Sequence, residues 1–192
     1  MATPATFDLA NLLCQDTVTS SKGAKQIHVT HLDGTPVLWQ PVQPMSPLWE
    51  PSAFNDPAAT RLNVSFAASH EVSEQLKLLD EWSLITLASE SARLLGSPLD
   101  MDEVKRRYQP ALRVYGKTGS VSMRCKMNVS GRNQVKCWDH FRQMRSLPES
   151  WTACTVVPRV RLAGLWVMGK EVGWTFTLEQ ALIDEASQEC PF

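Results

Sequence analysis

Positive charge gathered into one stretch of chain is the feature of this sequence with the clearest chemical meaning. Residues 105–145 carry 11 Lys and Arg against a single acid, Asp139. Residues 1–104 carry 5 against 13, and residues 146–192 carry 3 against 6, so the whole-chain charge of −1 conceals the asymmetry. Such a stretch makes a local positive field even in a near-neutral protein. Within it, Arg124 and Lys126 share one face of a strand pattern and Lys136 and Trp138 share another, with Lys117, Arg132, Arg142 and Arg145 flanking them. Lys and Arg neutralise phosphates, and a flat ring stacks on an unpaired base for about 1–3 kcal/mol whatever the base is. Lys117, Arg124, Lys126, Arg132, Lys136, Arg142 and Arg145 are therefore the expected phosphate contacts. Trp138 and Tyr115 are the expected stacking rings, with His140 beside them, whereas Trp166 and Trp174 fall on inward strand positions and are assigned to the core. Lys105, Arg106 and Arg107 have a local explanation in the last turn of a helix, where the macrodipole favours cations.

Catalytic patterns are scarce. No dinucleotide-binding glycine motif, phosphate-binding loop, zinc-protease helix or nucleophile elbow is present. Asp80-Glu81 and Asp102-Glu103 are adjacent pairs, whose side chains leave a helix in different directions and make no acid/base dyad. The five cysteines, Cys14, Cys125, Cys137, Cys154 and Cys190, are odd in number and too widely spaced for a zinc clip. His28 and His31 have no Cys, Asp or Glu nearby to complete a metal set. A non-catalytic protein without metal or cofactor is expected.

The elements that must position the basic residues follow from periodicity. Gln26–Val42, around the Asp33-Gly34 turn signal, reads as a β-hairpin after an N-terminal segment, residues 1–24. Six of the twelve prolines lie between Pro36 and Pro57, making an extended, non-helical run whose aromatics, Trp39, Trp49 and Phe54, are expected to dock on the core. Arg61–Ala67 alternates as a strand. From Ser69 the period changes to three and four through Val72, Leu76, Leu79, Trp82 and Ile85 to Leu95, where Gly96-Ser97-Pro98 stops the helix. Asp100 with Glu103 starts a second helix ending near Tyr108. Strands resume over residues 111–115, 120–129, 134–138, 152–167 and 172–178.

Strands, a helical block over about residues 70–108, then strands again predict an α+β, mainly β chain. The specific expectation is an OB-like Greek-key barrel with a helical insertion between the third and fourth strands, over residues 25–183. At 192 residues and 43% hydrophobic, the chain suits one domain. No apolar run approaches the roughly 18 residues that cross a bilayer, and the N-terminus lacks a leader pattern, so a soluble, intracellular protein is expected. The last residues, 184–192, read as an acidic tail. Asp184, Glu185 and Glu189 precede Pro191-Phe192, whose ring and carboxylate suit a partner's apolar pocket beside a cation.

In its order of elements the chain resembles the single-stranded DNA-binding proteins of large nucleocytoplasmic DNA viruses and some short-tailed phages. The hairpin Lys25–Gln43 runs into Val42-Gln-Pro-Met-Ser-Pro-Leu48, then come the strand Arg61–Ala67 and the helix with Leu79-Asp80. A basic helix ends in Tyr108-Gln-Pro110, and Val160–Val167, a turn at Gly169 and Gly173-Trp-Thr-Phe176 close the pattern. The resemblance implies sequence-independent binding of single-stranded DNA in replication or repair, in the nucleus or at a viral replication site. It also implies replication proteins as partners of the tail, with RNA and a homo-oligomer left open. The competing expectation is an assembly component whose basic face and Pro-rich segment meet proteins instead.

Overall fold

A period of two dictates which way each side chain of a strand points, and Arg61–Ala67 and Ser120–Asn128 obey it. Val64, Phe66, Met123, Cys125 and Met127 are buried, whereas Arg61, Arg124 and Lys126 stay exposed on the opposite face. The computed structural model describes residues 8–185 apart from 22, 54, 55, 57 and 118. In chain order the elements are β1 (Leu12–Thr19), β2 (Lys25–His31), β3 (Leu38–Trp39), β4 (Arg61–Ala67), α1 (His70–Ser89), α2 (Ser91–Leu95) and α3 (Met101–Arg107). Then follow β5 (Tyr108–Gln109), β6 (Leu112–Tyr115), β7 (Ser120–Asn128), β8 (Lys136–Trp138), β9 (Met144–Arg145), β10 (Cys154–Met168) and β11 (Glu171–Glu185). The chain is mainly β, with its α-helices together between β4 and β5.

The sheet runs β1-β2-β10-β11-β7-β4. β10 and β11 form a long antiparallel hairpin of 15 residues each, and β5, β7 and β8 pair with β11 in parallel. Residues 45–52 carry the ladder from β4 back to β10. Met45 and Val156 exchange backbone hydrogen bonds at 2.7 and 2.9 Å, and Ser52 and Asn63 do so at 3.0 and 2.8 Å. The hydrogen-bonded path β10-β11-β7-β4 thus closes on itself. The Pro-rich run docks on its own domain, as expected, but Trp39 is buried while Trp49 is 55% exposed. Phe54 lies outside the described residues.

α1 begins at Ser69, whose hydroxyl accepts from the Val72 N–H, and breaks at Glu90; Gly96, at φ 80°, ends α2. Asp100 caps α3 by accepting from the Glu103 N–H at 2.8 Å. Polar pins fix α1 to the strands. The Trp174 indole N–H donates to Ser83 Oγ at 3.0 Å, the Trp39 N–H to Gln75 Oε1 at 2.8 Å, and the Tyr108 hydroxyl to Asp80 at 2.6 Å. Burial pushes the Asp80 carboxyl up, and the Tyr108 and Ala111 donors hold it back.

Four features differ from expectation. Residues 12–19 form β1 on the edge of β2, because Leu12 and Cys14 have an apolar layer to enter that local polarity conceals. The Asp33-Gly34 turn forms, but beyond the Thr30–Pro36 bridge β3 pairs with β10 rather than β2. The helices follow a fourth strand rather than a third. Asp184 and Glu185 belong to β11, opposite Thr155 and Cys154, so the strand outlasts its expected end at Leu178. An unpaired Glu179 shifts its register and disguises the alternation. Among the described residues no helix is long and apolar enough to cross a membrane.

β10 has a second irregularity at Gly164, where φ is 122° and a Cβ would sit 2.0 Å from the Ile27 carbonyl oxygen of β2. Gly164→Ala is expected to lower unfolding stability by about 2 kcal/mol or more, through backbone strain and the clash with β2. Chemical denaturation measures it.

Candidate nucleic-acid interface

The outward residues of β7 do not stand alone. Register sets Lys126 beside Asn63 of β4 and Thr177 of β11, and Arg124 beside Ser65; Arg113 of β6 pairs with Ser122. Asn63, Arg113, Arg124 and Lys126 line a groove of about 970 Å³ that crosses the strands from β1 and β2 over β10, β11 and β7 to β4. A second recess of about 360 Å³ continues it, sharing Asn63, Arg113 and Arg124 and reaching Trp49 and Tyr115. The Trp49 and Tyr115 rings meet edge to face, with centroids 5.8 Å apart.

Trp166 lies on β10, with Lys25 of β2 and Thr17 and Thr19 of β1 beyond it. Two strands joined by a tight turn set it directly across from Gly173, where a Cβ would come 2.9 Å from its ring carbon Cζ2. Only glycine leaves the half-buried indole room to lie against β11. Thr175 beside it is small and buried, which keeps the floor low. The groove therefore carries a ring on β10 and a ring pair past β7, with cationic and polar side chains between them.

Lys25, Arg93, Arg113, Arg124 and Lys126 line the larger part, and among the described residues no carboxylate does. Arg93 is engaged elsewhere, with Asp16 at 2.7 Å and with Glu90. The other four make no ion pair among the described residues. Burial, then the neighbouring Arg61 and Arg124 charges, depress the Lys126 ammonium below the usual lysine value, and burial followed by Arg113 does the same to Arg124. Cations held in mutual repulsion and partly stripped of water gain from a bound anion. Glu50 is an acid of the second recess, and its carboxylate is ionised at neutral pH. Its carboxylate accepts from the Trp151 and Thr152 backbone N–H groups at 3.0 and 3.1 Å and from the Ser150 and Thr152 hydroxyls, both at 2.8 Å. Those bonds hold it down at about 2.

Of the residues marked out by sequence, Arg124, Lys126 and Tyr115 meet here. The others lie apart. Lys117 is exposed in the β6–β7 turn and Arg132 in the β7–β8 turn, and neither lines the groove. Lys136 and Trp138 flank the buried Cys137 on β8, next to residues 180–182 of β11. Trp138 is half-buried, with its indole nitrogen enclosed and without a hydrogen-bond partner among the described residues, so its ring is not openly presented. Arg142 sits in the β8–β9 turn at φ 60°, and Arg145 is half-buried on β9. The His140 and Phe141 rings lie tilted against each other, 3.8 Å between centroids. Asp184 is exposed on β11; Glu189, Pro191 and Phe192 lie outside the described residues.

Sequence reasoning passed over Lys25, Arg113, Trp49 and Trp166 as groove residues. The assignment of Trp166 to the core is corrected by its place on the rim, because period two fixes a face but not what covers that face. A usable signal existed. Trp166 and Gly173 are equidistant from the Gly169-Lys170 turn, and a glycine opposite a tryptophan leaves space for its ring.

No family model matches the chain, and no curated protein matches it. Among solved structures, it is similar to the single-stranded DNA-binding protein from bacteriophage Enc34 in complex with ssDNA, at 10% identity and a TM-score of 0.49 over 90% of this chain and 96% of that one. It is likewise similar to a C-terminal truncation of that phage protein, at 9% identity and a TM-score of 0.48, covering 92% of this chain and 96% of the other.

The Glu50 cage supplies a test of the groove wall. A carboxylate held at about 2 when folded, against an ordinary 4.5, stabilises the fold above pH 4.5 and loses that contribution as pH falls toward 2. Glu50→Gln should therefore be less stable than the parent chain at neutral pH, with the difference shrinking between pH 4.5 and 2. Thermal melts across that range check it.

Proposed function

We propose that the groove binds single-stranded nucleic acid, DNA foremost, without reading its sequence, and that the chain serves DNA replication or repair in this way. The observation that carries this reading is that Lys126, Arg124 and Arg113, which make no ion pair among the described residues, stand between Trp166 and the Trp49–Tyr115 pair, with Lys25 beyond Trp166. Cations track a phosphate backbone, and rings on either side of the β7 cations require bases that are unstacked from a complement, which a duplex does not offer. The supporting side chains, Asn63, Thr175 and Gln109, can donate to any phosphate or base edge and impose no code. Lys117, Arg132, Lys136, Arg142 and Arg145 extend the positive field and steer a polyanion toward the groove. The closed path of strands with its inserted helices is read as an OB-like Greek-key barrel. Recruitment of replication proteins by the acidic tail rests on Glu189, Pro191 and Phe192 as sequence.

Fluorescence titration with a short single-stranded oligonucleotide over a range of salt tests the mechanism. Neutralising about four phosphates gives a slope of log affinity against log salt near −2.8, and Lys126→Met flattens it by about 0.7. A slope near zero removes the electrostatic groove.

The two tryptophans separate the ends of the molecule. Trp166→Ala is expected to weaken binding by about 1–3 kcal/mol with little loss of stability. Trp138→Ala is expected to leave short-oligonucleotide affinity unchanged while lowering stability. Paired titrations and denaturation curves decide between them.

A further inference from the structure

Two exposed patches stand outside the groove, and their chemistries match. α1 turns Glu71, Glu74, Leu78, Glu81 and Ile85 to solvent, in the alternating three- and four-residue spacing that lines one side of a helix. Leu78 and Ile85 are 52% and 61% exposed. Glu74 pairs with Lys77 at 2.8 Å, while Glu71 and Glu81 make no ion pair among the described residues. The other patch is the β8–β9 hairpin. Register aligns Leu182, Trp138 and Met144 in a row across β11, β8 and β9, with Met144 64% exposed and Phe141 at the turn 72% exposed. Lys136 and Arg142, both exposed, stand at its rim. One patch is aliphatic with acids around it, and the other is aromatic and aliphatic with cations around it.

Within one chain the patches cannot meet. Trp174 anchors α1 to one part of β11 through Ser83, and Leu182 carries the hairpin eight residues further on, about 26 Å along a strand. The acidic stripe also lies on the side of α1 away from its buried Ser83. A two-fold dimer through either patch would set like charges against each other. We infer that the α1 stripe of one copy packs on the β8–β9 hairpin of the next, so that copies of this chain associate head to tail. Such a contact joins unlike surfaces and leaves one of each free, so it propagates into an open chain unless its rotation closes a ring.

Sedimentation velocity of the full chain at low ionic strength, without nucleic acid, reads the contact directly. The weight-average sedimentation coefficient is expected to rise with concentration past that of a dimer. Ile85→Ser and Phe141→Ser each abolish the rise while circular dichroism stays that of the parent chain. Glu81→Arg and Arg142→Glu each abolish it alone, because like charges then face each other. Mixed in equal amounts, the two variants restore it, since opposite charges meet at every contact. A single species at all concentrations, a plateau at dimer, or a mixture that stays dissociated would overturn the inference. Because no oligonucleotide is present, failure here is distinct from failure of the groove to bind one.

Discussion

The antiparallel pairing of β10 with β11 is the interaction on which the rest of the molecule depends. β2, β3 and Met45 hydrogen-bond to β10, and β5, β7 and β8 to β11, so few strands hold together except through this pair. Its two irregularities, at Glu179 and around Gly164, break a flat ribbon into segments that can bend. Bending lets β4, at the far side of β7, come round to residues 45–52 and through them back to β10. The Pro-rich run suits that place, because prolines supply an extended backbone and need few ladder donors. An unsatisfied sheet edge is thereby covered by a segment that looks, in isolation, like a loop.

Stability and site chemistry pull in different directions on the outer face. Inside, Phe66, Met123, Met127, Leu162 and Leu178 belong to the core and are almost without exposure. Outside, the same strands hold Arg124 and Lys126 close to Arg113 and Arg61; burial first and the neighbouring charges second depress both cations, and neither makes an ion pair among the described residues. A surface selected only for folding would intersperse carboxylates there, as it does around Arg106 and Arg107, both paired with Glu103. The contrast between the satisfied cations of α3 and the unsatisfied ones of β7 separates charge that supports the fold from charge available to a ligand.

Much of the fold was legible in the residues. Ser69 and Asp100 as caps, Gly96 as a stop and the alternation of β4 and β7 are local signals that the tertiary structure had no reason to override. Other elements failed for identifiable reasons. β1 carries Gln15, Asp16, Thr17 and Thr19 on a strand whose two apolar anchors, Leu12 and Cys14, are too few to show a period. β11 continues past Leu178 because a bulge resets its faces, and periodicity counted across a bulge cancels. The hairpin around Gly34 was recognisable as a turn, yet the partner of β3 is some 120 residues away, which no local pattern encodes.

By itself the sequence determined that a mainly β chain carries a dense cationic stretch with an interrupting helical block, since composition and period are properties of neighbours along the chain. Only the tertiary structure decided which cations converge. Arg124 and Lys126 were visible as one face, but Lys25 and Arg113 join them through strand pairing, and Lys136, Arg142 and Arg145 leave with a hairpin that pairs further along β11. The same pairing half encloses the Trp138 indole on β8 and sets Trp166 along the groove, where Gly173 across the ladder makes room for it. The physical reason is that a groove belongs to residues adjacent across hydrogen bonds, and those adjacencies are set by long-range register.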